Sequence, residues 1–133
     1  MKKSFTLYLL ILIFILCSCA PKLNQININE VRRIYAIQTI EGEEVLNDFD
    51  DYEVSEFVSW YNECEDIRSN KEFAGTVTLQ YSICIDLENE HISILNSGKD
   101  FEIQIHDSTT KKKSSFWAKQ KNIKEMLEIL HSE

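Results

Sequence analysis

The residues most able to do chemistry in this 133-residue chain are carboxylates, which crowd into one stretch. Residues 41–66 contain eleven Asp and Glu residues and no Lys or Arg. Asp48, Asp50 and Asp51 could offer oxygen ligands to a weak Ca²⁺ site. Their spacing does not fit an EF-hand loop, because the sixth position counted from Asp48 is Glu53, where that loop needs glycine. The favoured interpretation is a solvated turn and helix cap, so no metal site is predicted.

The histidines do not have the spacing of a metal or nucleophile site. His91, His106 and His131 show no H-x-x-x-H pattern, and none lies close to a cysteine in sequence. The sequence has no G-x-S-x-G motif, and its three glycines form no phosphate-cradling loop. His106 and Asp107 could act as an acid–base pair, although a polar strand face carrying one histidine explains them equally well. We therefore predict no enzymatic activity and no cofactor.

The N-terminus has the features of an export signal. Lys2 and Lys3 precede an uncharged apolar run over residues 5–16. A run of about a dozen residues is typical of a signal peptide and is shorter than the ~20 residues that span a bilayer as a helix. The run ends in Leu16-Cys17-Ser18-Cys19.

This stretch resembles the lipobox of bacterial lipoproteins. In that family the cysteine after a small residue receives a diacylglycerol and becomes the mature N-terminus, which the resemblance assigns to Cys19 after Ser18. Cys17 is the weaker candidate because bulky Leu16 precedes it directly. An ordinary signal peptide and an uncleaved membrane anchor are the alternatives. The resemblance implies a leader over residues 1–18, a lipidated N-terminus and tether over 19–29, and attachment to the extracytoplasmic side of the cell membrane.

The rest of the protein is a single acidic domain, predicted over residues 30–133. Removal of the leader would leave 12 basic and 22 acidic residues, a net charge of −10. Nucleic acid is not expected as a partner, because binding it depends on Lys and Arg that meet phosphates. The basic triplet Lys111–Lys113 could contact lipid head groups or an acidic partner, but a solvated loop is the favoured interpretation.

Hydrophobic periodicity predicts the elements of this domain. Apolar residues occupy every odd position from Val77 to Leu87, which indicates a long, half-buried antiparallel strand. Asp50 and Glu53 have capping-box spacing and predict a helix that runs to about Asp66. Further strands are predicted over residues 31–40, 45–46, 91–95, 101–106 and 115–118, and a terminal amphipathic helix over 123–130. We predict an α+β fold with an antiparallel β-meander sheet of four to five strands and two helices packed on one face.

The polar face of that predicted sheet is the remaining candidate binding site. A broad, flat polar surface suits a protein or peptide, whereas a metabolite needs a concave pocket. An open sheet that merely faces water is the alternative. The predicted members are Thr76, Thr78, Gln80, Ser82, Glu102, Gln104 and His106.

In layout the mature domain is similar to small uncharacterised lipoproteins of Gram-positive bacteria, which implies a cell-surface domain but assigns no site residue. We therefore predict a non-enzymatic protein- or peptide-binding module. Two alternatives remain open: an immunity-type lipoprotein that sequesters a cationic peptide, and a Ca²⁺-dependent cell-surface module. The partner, the oligomeric state and the pairing of Cys64 with Cys84 stay open, although these two cysteines fall on unlike faces of their predicted elements, which disfavours a disulfide.

Overall fold

The computed structural model describes residues 21–70, 81–97 and 100–130. Within these residues the protein forms seven strands and two helices, with a 3₁₀ turn at Ile28–Glu30 before the first strand. Helix α1 (Asp51–Asn62) lies between the second and third strands, and helix α2 (Lys121–Leu130) follows the last strand. The strands are β1 (Arg33–Ile40), β2 (Glu43–Asp48), β3 (Glu65–Ser69), β4 (Tyr81–Asp86), β5 (Glu90–Ser97), β6 (Asp100–Asp107) and β7 (Lys113–Lys119).

All seven strands belong to one antiparallel sheet in the order β2-β1-β4-β5-β6-β7-β3. The predicted α+β class with an antiparallel sheet is confirmed, but the predicted number of four to five strands is wrong. Strand β3 was missed because Ile67 is the one apolar residue within it, so its sequence shows no alternation. It forms because its backbone pairs with β7.

Helix α1 begins where its capping box predicts. The side chain of Asp50 accepts a hydrogen bond from the Glu53 amide at 2.9 Å, and the Glu53 carboxylate accepts one from the Asp50 amide at 2.9 Å. The helix ends at Asn62, before the predicted end at Asp66. Asp66 has a φ of 51°, which no helical residue adopts. Carboxylates are also unfavourable beside the negative C-terminal end of a helix.

The core lies against the face of the sheet that carries rows of isoleucine side chains. One row crosses four strands, because Ile34 pairs with Ile85, Ile85 with Ile92 and Ile92 with Ile105. Buried residues of both helices belong to the same core cluster, namely Phe57, Val58, Tyr61, Ile123 and Leu127. The prediction of two helices packed on one face is not matched in that form, because the segment before β1 also covers the core through Leu23, Ile26 and Val31.

Asn62 at the end of α1 holds this N-terminal segment in place. Its Oδ1 accepts a hydrogen bond from the amide of Ile26 at 2.8 Å, and its Nδ2 donates to the carbonyl of Ile26 at 2.9 Å. The Ile26 side chain is only 6% exposed. The described part of the predicted tether therefore lies against the body of the domain.

None of the helices described is long and apolar enough to cross a membrane.

Candidate functional site

The side of the sheet opposite the isoleucine rows, which we call the polar face, carries the candidate site. Strand register arranges its side chains in rows that run across the strands. The upper row is Asp86, His91, His106 and Lys113. The middle row is Tyr35, Cys84, Ser93, Gln104 and Ser115, and the lower row is Ile37, Ser82, Leu95, Glu102 and Trp117.

Four of the predicted site residues lie together on this face, namely Ser82, Glu102, Gln104 and His106. The other three, Thr76, Thr78 and Gln80, fall outside the described residues. The polar face is not uniformly polar, because Ile37, Leu95 and Trp117 share its lower row. Their burial is intermediate, so the face combines hydrogen-bonding groups with apolar contact area.

Glu102 is a buried member of the polar face, because the residue is only 8% exposed, and it holds neighbouring side chains by hydrogen bonds. Its Oε1 accepts hydrogen bonds from Ser115 Oγ at 2.6 Å, from Asn70 Nδ2 at 3.1 Å and from Gln104 Nε2 at 3.3 Å. These bonds offset the cost of withdrawing a carboxylate from water. Glu102 therefore positions Gln104 and Ser115, and its own side chain is too withdrawn to be the main contact with a partner.

The centre of the polar face is a hydrogen-bonded network of four side chains, which the sequence patterns did not reveal. Asp86 Oδ1 lies 2.6 Å from His91 Nδ1, and His91 Nε2 lies 3.1 Å from Ser93 Oγ. Ser93 Oγ in turn lies 3.9 Å from Cys84 Sγ. We call Asp86, His91, Ser93 and Cys84 the histidine network.

A sequence signal for the histidine network exists in the hairpin that joins β4 to β5. The amide of Leu87 donates to the carbonyl of Glu90 at 2.9 Å, which closes a short turn and sets Asp86 directly opposite His91. Ser93 follows two residues after His91 and so points to the same side of β5. This arrangement was not predicted, because metal and nucleophile spacings along the chain do not detect pairs across a hairpin.

His91 is the cationic member of the histidine network and pairs with the Asp86 carboxylate. The neighbouring groups of Cys84 and Asp86 outweigh the lowering effect of burial and raise the pKa of His91 to about 9. Both ring nitrogens of the resulting imidazolium are donors, one directed to Asp86 and the other to Ser93. The His91 side chain is 41% exposed, so this cation is open to solvent.

The order Asp86–His91–Ser93 has the connectivity of a hydrolase triad, but its protonation state differs. In a triad the histidine must be neutral so that it can take the proton of the serine hydroxyl. His91 has a pKa of about 9, so both of its ring nitrogens are protonated at pH 7 and neither can accept a proton from Ser93. The arrangement is therefore not poised to activate Ser93, but its imidazolium can attract an anion.

A shallow depression of about 110 Å³ lies beside the histidine network. Its volume is below the several hundred Å³ of a metabolite pocket, and it suits a single carboxylate or side chain. The groups around it include two imidazoles, a hydroxyl, an amide and an ammonium. They belong to His91, Ser93, Gln104, His106 and Lys113, together with Ile105.

The candidate Ca²⁺ ligands are engaged in other interactions. Asp48 forms an ion pair with Arg33, and Asp50 caps α1 through the amide of Glu53. Across residues 21–70, 81–97 and 100–130, no group of three or more His, Cys, Asp or Glu residues is placed to hold a metal ion. Asp48, Asp50 and Asp51 are therefore not proposed as a calcium site.

The two cysteines of the domain lie on opposite sides of the sheet, and both are free thiols. Cys64 packs against the core cluster, and burial raises its pKa to about 12. Cys84 is 2% exposed and lies in the middle row of the polar face. Cys64 has no cationic neighbour among its described contacts, and Cys84, although it lies in the network of His91, is withdrawn from solvent, whereas reactive cysteines are partly exposed.

Comparisons with models of protein families, with curated proteins and with solved structures gave no match for this protein. The function proposed below is therefore inferred from the sequence and from the geometry of the polar face.

Proposed function

We propose that the protein is a lipid-anchored extracytoplasmic binding module without enzymatic activity, which holds a protein or peptide on the polar face of its sheet. The observation that carries this proposal is a solvent-open depression lined by His91, His106 and Lys113. In a mature protein of net charge −10, the depression gathers cationic and hydrogen-bond donating groups in one place.

The chemistry of the depression selects a carboxylate from the partner. Lys113 and Gln104 carry N–H donors, and His91, whose two ring nitrogens already bond within the histidine network, adds positive charge beside them. Charge-assisted hydrogen bonds to carboxylates are stronger than neutral ones. The apolar lower row below it, with Leu95 and Trp117, supplies contact area without charge. A glutamate or aspartate side chain, or the terminal carboxylate of a peptide, fits the depression while the rest of the partner lies over the flat face.

The absence of enzymatic activity is supported by the same groups. Ser93 lacks a neutral base, because its neighbour His91 is an imidazolium. Cys64 is partly buried against the core, and its pKa of about 12 keeps it a thiol at neutral pH. A binding role is compatible with a protonated His91, whereas a hydrolytic role would first require His91 to lose a proton.

The test of the binding proposal is a titration of isotope-labelled protein with short peptides that carry one glutamate, followed by NMR. We expect shift changes at the backbone amides of His91 and Gln104. Lys113→Gln should weaken them, whereas Lys121→Gln should not, because the remote and 84% exposed Lys121 side chain lies at the start of α2. The proposal would be refuted if the peptides caused no shift changes on the polar face. It would also be refuted if Lys113→Gln and Lys121→Gln weakened the shift changes equally.

The lipid anchor has its own test. Mass spectrometry of the mature protein should show a diacylglyceryl group on Cys19, and Cys19→Ala should release the protein from the membrane fraction. Cys17→Ala is the matched control and should leave the protein attached. An unmodified Cys19 in the native product would remove the membrane location from the proposal and leave only the binding role.

A second candidate function, capture of a cationic peptide, is favoured by strand β2. All six residues of β2 are exposed, and no described strand pairs with its outer edge. Glu43 and Glu44 place carboxylates along this edge, and Val45 and Leu46 leave 37% and 51% of their surfaces exposed. An unpaired edge of this kind can add an extended peptide as a further strand.

The two functions differ in partner charge and in location. A lysine-rich extended peptide should perturb β2, and its affinity should fall steeply as salt rises. Glu43→Gln with Glu44→Gln should reduce both the affinity and the salt dependence. The control is Glu125→Gln, which removes a carboxylate from the remote helix α2. An affinity that does not change with salt concentration would contradict the second function.

A further inference from the structure

The folded body of the protein begins very close to the proposed lipid attachment site. Leu23 packs against the core cluster, and Ile26 is fixed by both hydrogen bonds from Asn62. Cys19 and Lys22 are three residues apart, a separation of at most ~11 Å even when the backbone is extended. A lipidated Cys19 therefore brings the surface around Lys22 against the bilayer.

That surface carries lysines from two distant parts of the sequence. A cleft of about 260 Å³ is lined by Lys22, Leu23 and Asn24 from the N-terminal segment and by Lys112 from the turn before β7. Lys111 precedes Lys112 in the turn between β6 and β7. Lys22, Lys111 and Lys112 are exposed, and no described carboxylate forms an ion pair with them. We call these three residues the lysine pole.

The carboxylates near the lysine pole leave its charge available. Asp107 is directed into its own turn, where it accepts hydrogen bonds from the Thr109 amide at 2.8 Å, the Thr110 amide at 3.0 Å and Thr110 Oγ1 at 2.7 Å. Glu90 lines the same cleft but is only partly exposed. The acidic strand β2 lies five strand spacings from β7, or ~24 Å, which exceeds the ~10 Å screening length of surface charges.

We propose that the lysine pole seats the domain on anionic phospholipid head groups, so that the anchored protein has one fixed orientation on the membrane. The proposal rests on the proposed lipid anchor at Cys19. Because the anchor already holds the lysine pole near the membrane surface, a weak attraction to the head groups is enough to orient the domain. Each lysine near an anionic surface contributes roughly a fivefold gain in occupancy. Without the pole, the negative domain would be repelled from such a membrane.

The test compares the lipidated protein in vesicles of phosphatidylcholine alone and in vesicles that also contain phosphatidylglycerol. The measured quantity is the rate at which each lysine is acetylated in short pulses, followed by mass spectrometry. With phosphatidylglycerol at low salt, labelling of Lys22, Lys111 and Lys112 should slow by about fivefold. Lys121 should label equally in both vesicles, because it lies beyond the opposite end of β7. High salt should abolish the protection.

A variant pair separates seating from other causes of protection. Lys111→Glu with Lys112→Glu should remove the protection of Lys22, whereas Lys121→Glu should preserve it. Inorganic phosphate added to phosphatidylcholine vesicles should give no protection; protection there would reassign the pole to a free anion and overturn the proposal. Equal labelling of the pole in both vesicles would overturn it as well.

Failure of the anchor is read separately, by flotation with phosphatidylcholine vesicles. Protein that does not float lacks a functional lipid anchor, and both the proposed anchoring and the seating are then refuted. Protein that floats but shows no protection with phosphatidylglycerol refutes the seating alone.

Discussion

Asp86 and His91 face each other across the hairpin of β4 and β5, with Asp86 Oδ1 2.6 Å from His91 Nδ1. The pair is made by a tight turn, so the two groups meet with little loss of conformational entropy. It fixes the orientation of the imidazole and supports its protonated form. A local feature of the hairpin thereby sets the charge at the centre of the polar face.

Stability should decline as the pH rises from about 6.5 to about 9. The pKa of His91 is raised from 6.5 to about 9 in the folded protein. Its contribution to the free energy of unfolding is therefore fully present below pH 6.5 and is lost as the pH rises through 9. Urea unfolding at several pH values should show this decline, and His91→Gln should flatten it. His106→Gln is the control and should keep it; an unchanged decline in His91→Gln would refute the assignment.

The pKa of His91 should fall when its partners are removed. Asp86→Asn removes the negative charge beside the imidazole, and Cys84→Ala removes the neighbouring thiol; both groups raise this pKa to about 9. NMR titration of the imidazole in each variant should give a lower midpoint than in the parent protein. Gln104→Ala, on the neighbouring strand, serves as a control that touches neither partner. If neither variant lowered the midpoint, the histidine network would not be the cause of the shift.

Asn62→Ala should loosen the N-terminal segment. The substitution removes two hydrogen bonds to the Ile26 peptide group and leaves that partly buried group without this partner. A loss of about 1–3 kcal/mol in the free energy of unfolding is expected. Hydrogen exchange of the Ile26 amide should accelerate in the same variant. Asn24→Ala, at an exposed position of the same segment, should leave both quantities nearly unchanged.

Asp50→Ala should destabilise helix α1. The carboxylate caps the helix through the Glu53 amide, and loss of such a cap costs about 1 kcal/mol. Thermal unfolding by circular dichroism measures the effect. The adjacent Asp51→Ala removes a carboxylate from the first turn without removing the cap, so it should cost less. Equal losses would mean that charge near the helix terminus matters more than the cap.

Calcium should leave the melting temperature unchanged. A ligand that binds only the folded state raises stability by RT ln(1 + [L]/Kd). Asp48 is paired with Arg33 and Asp50 with the start of α1, so these carboxylates are not arranged around a common ion. Melting scans with millimolar Ca²⁺ and with Mg²⁺ as a control test this expectation. A rise specific to Ca²⁺ would revive the Ca²⁺-dependent alternative.

The strands and helices whose formation depends on residues close together in the sequence were predictable. Alternation located β5 and β6, and the spacing of Asp50 and Glu53 located the start of α1. The strand predicted over residues 31–40 corresponds to β1, which lies between β2 and β4. Strand β3 escaped prediction because its partner β7 lies more than 40 residues away and its own residues show no pattern.

By itself, the sequence determined the periodic elements and the capping of α1, because each depends on residues that are close along the backbone. Its composition determined the acidic charge. Only the tertiary structure decided the order of the seven strands, the packing of the N-terminal segment and the histidine network. These depend on strand register, which brings distant residues together and sets how far each is withdrawn from water. Register is a property of the whole sheet, and so the charge of His91 could not be read from its place in the sequence.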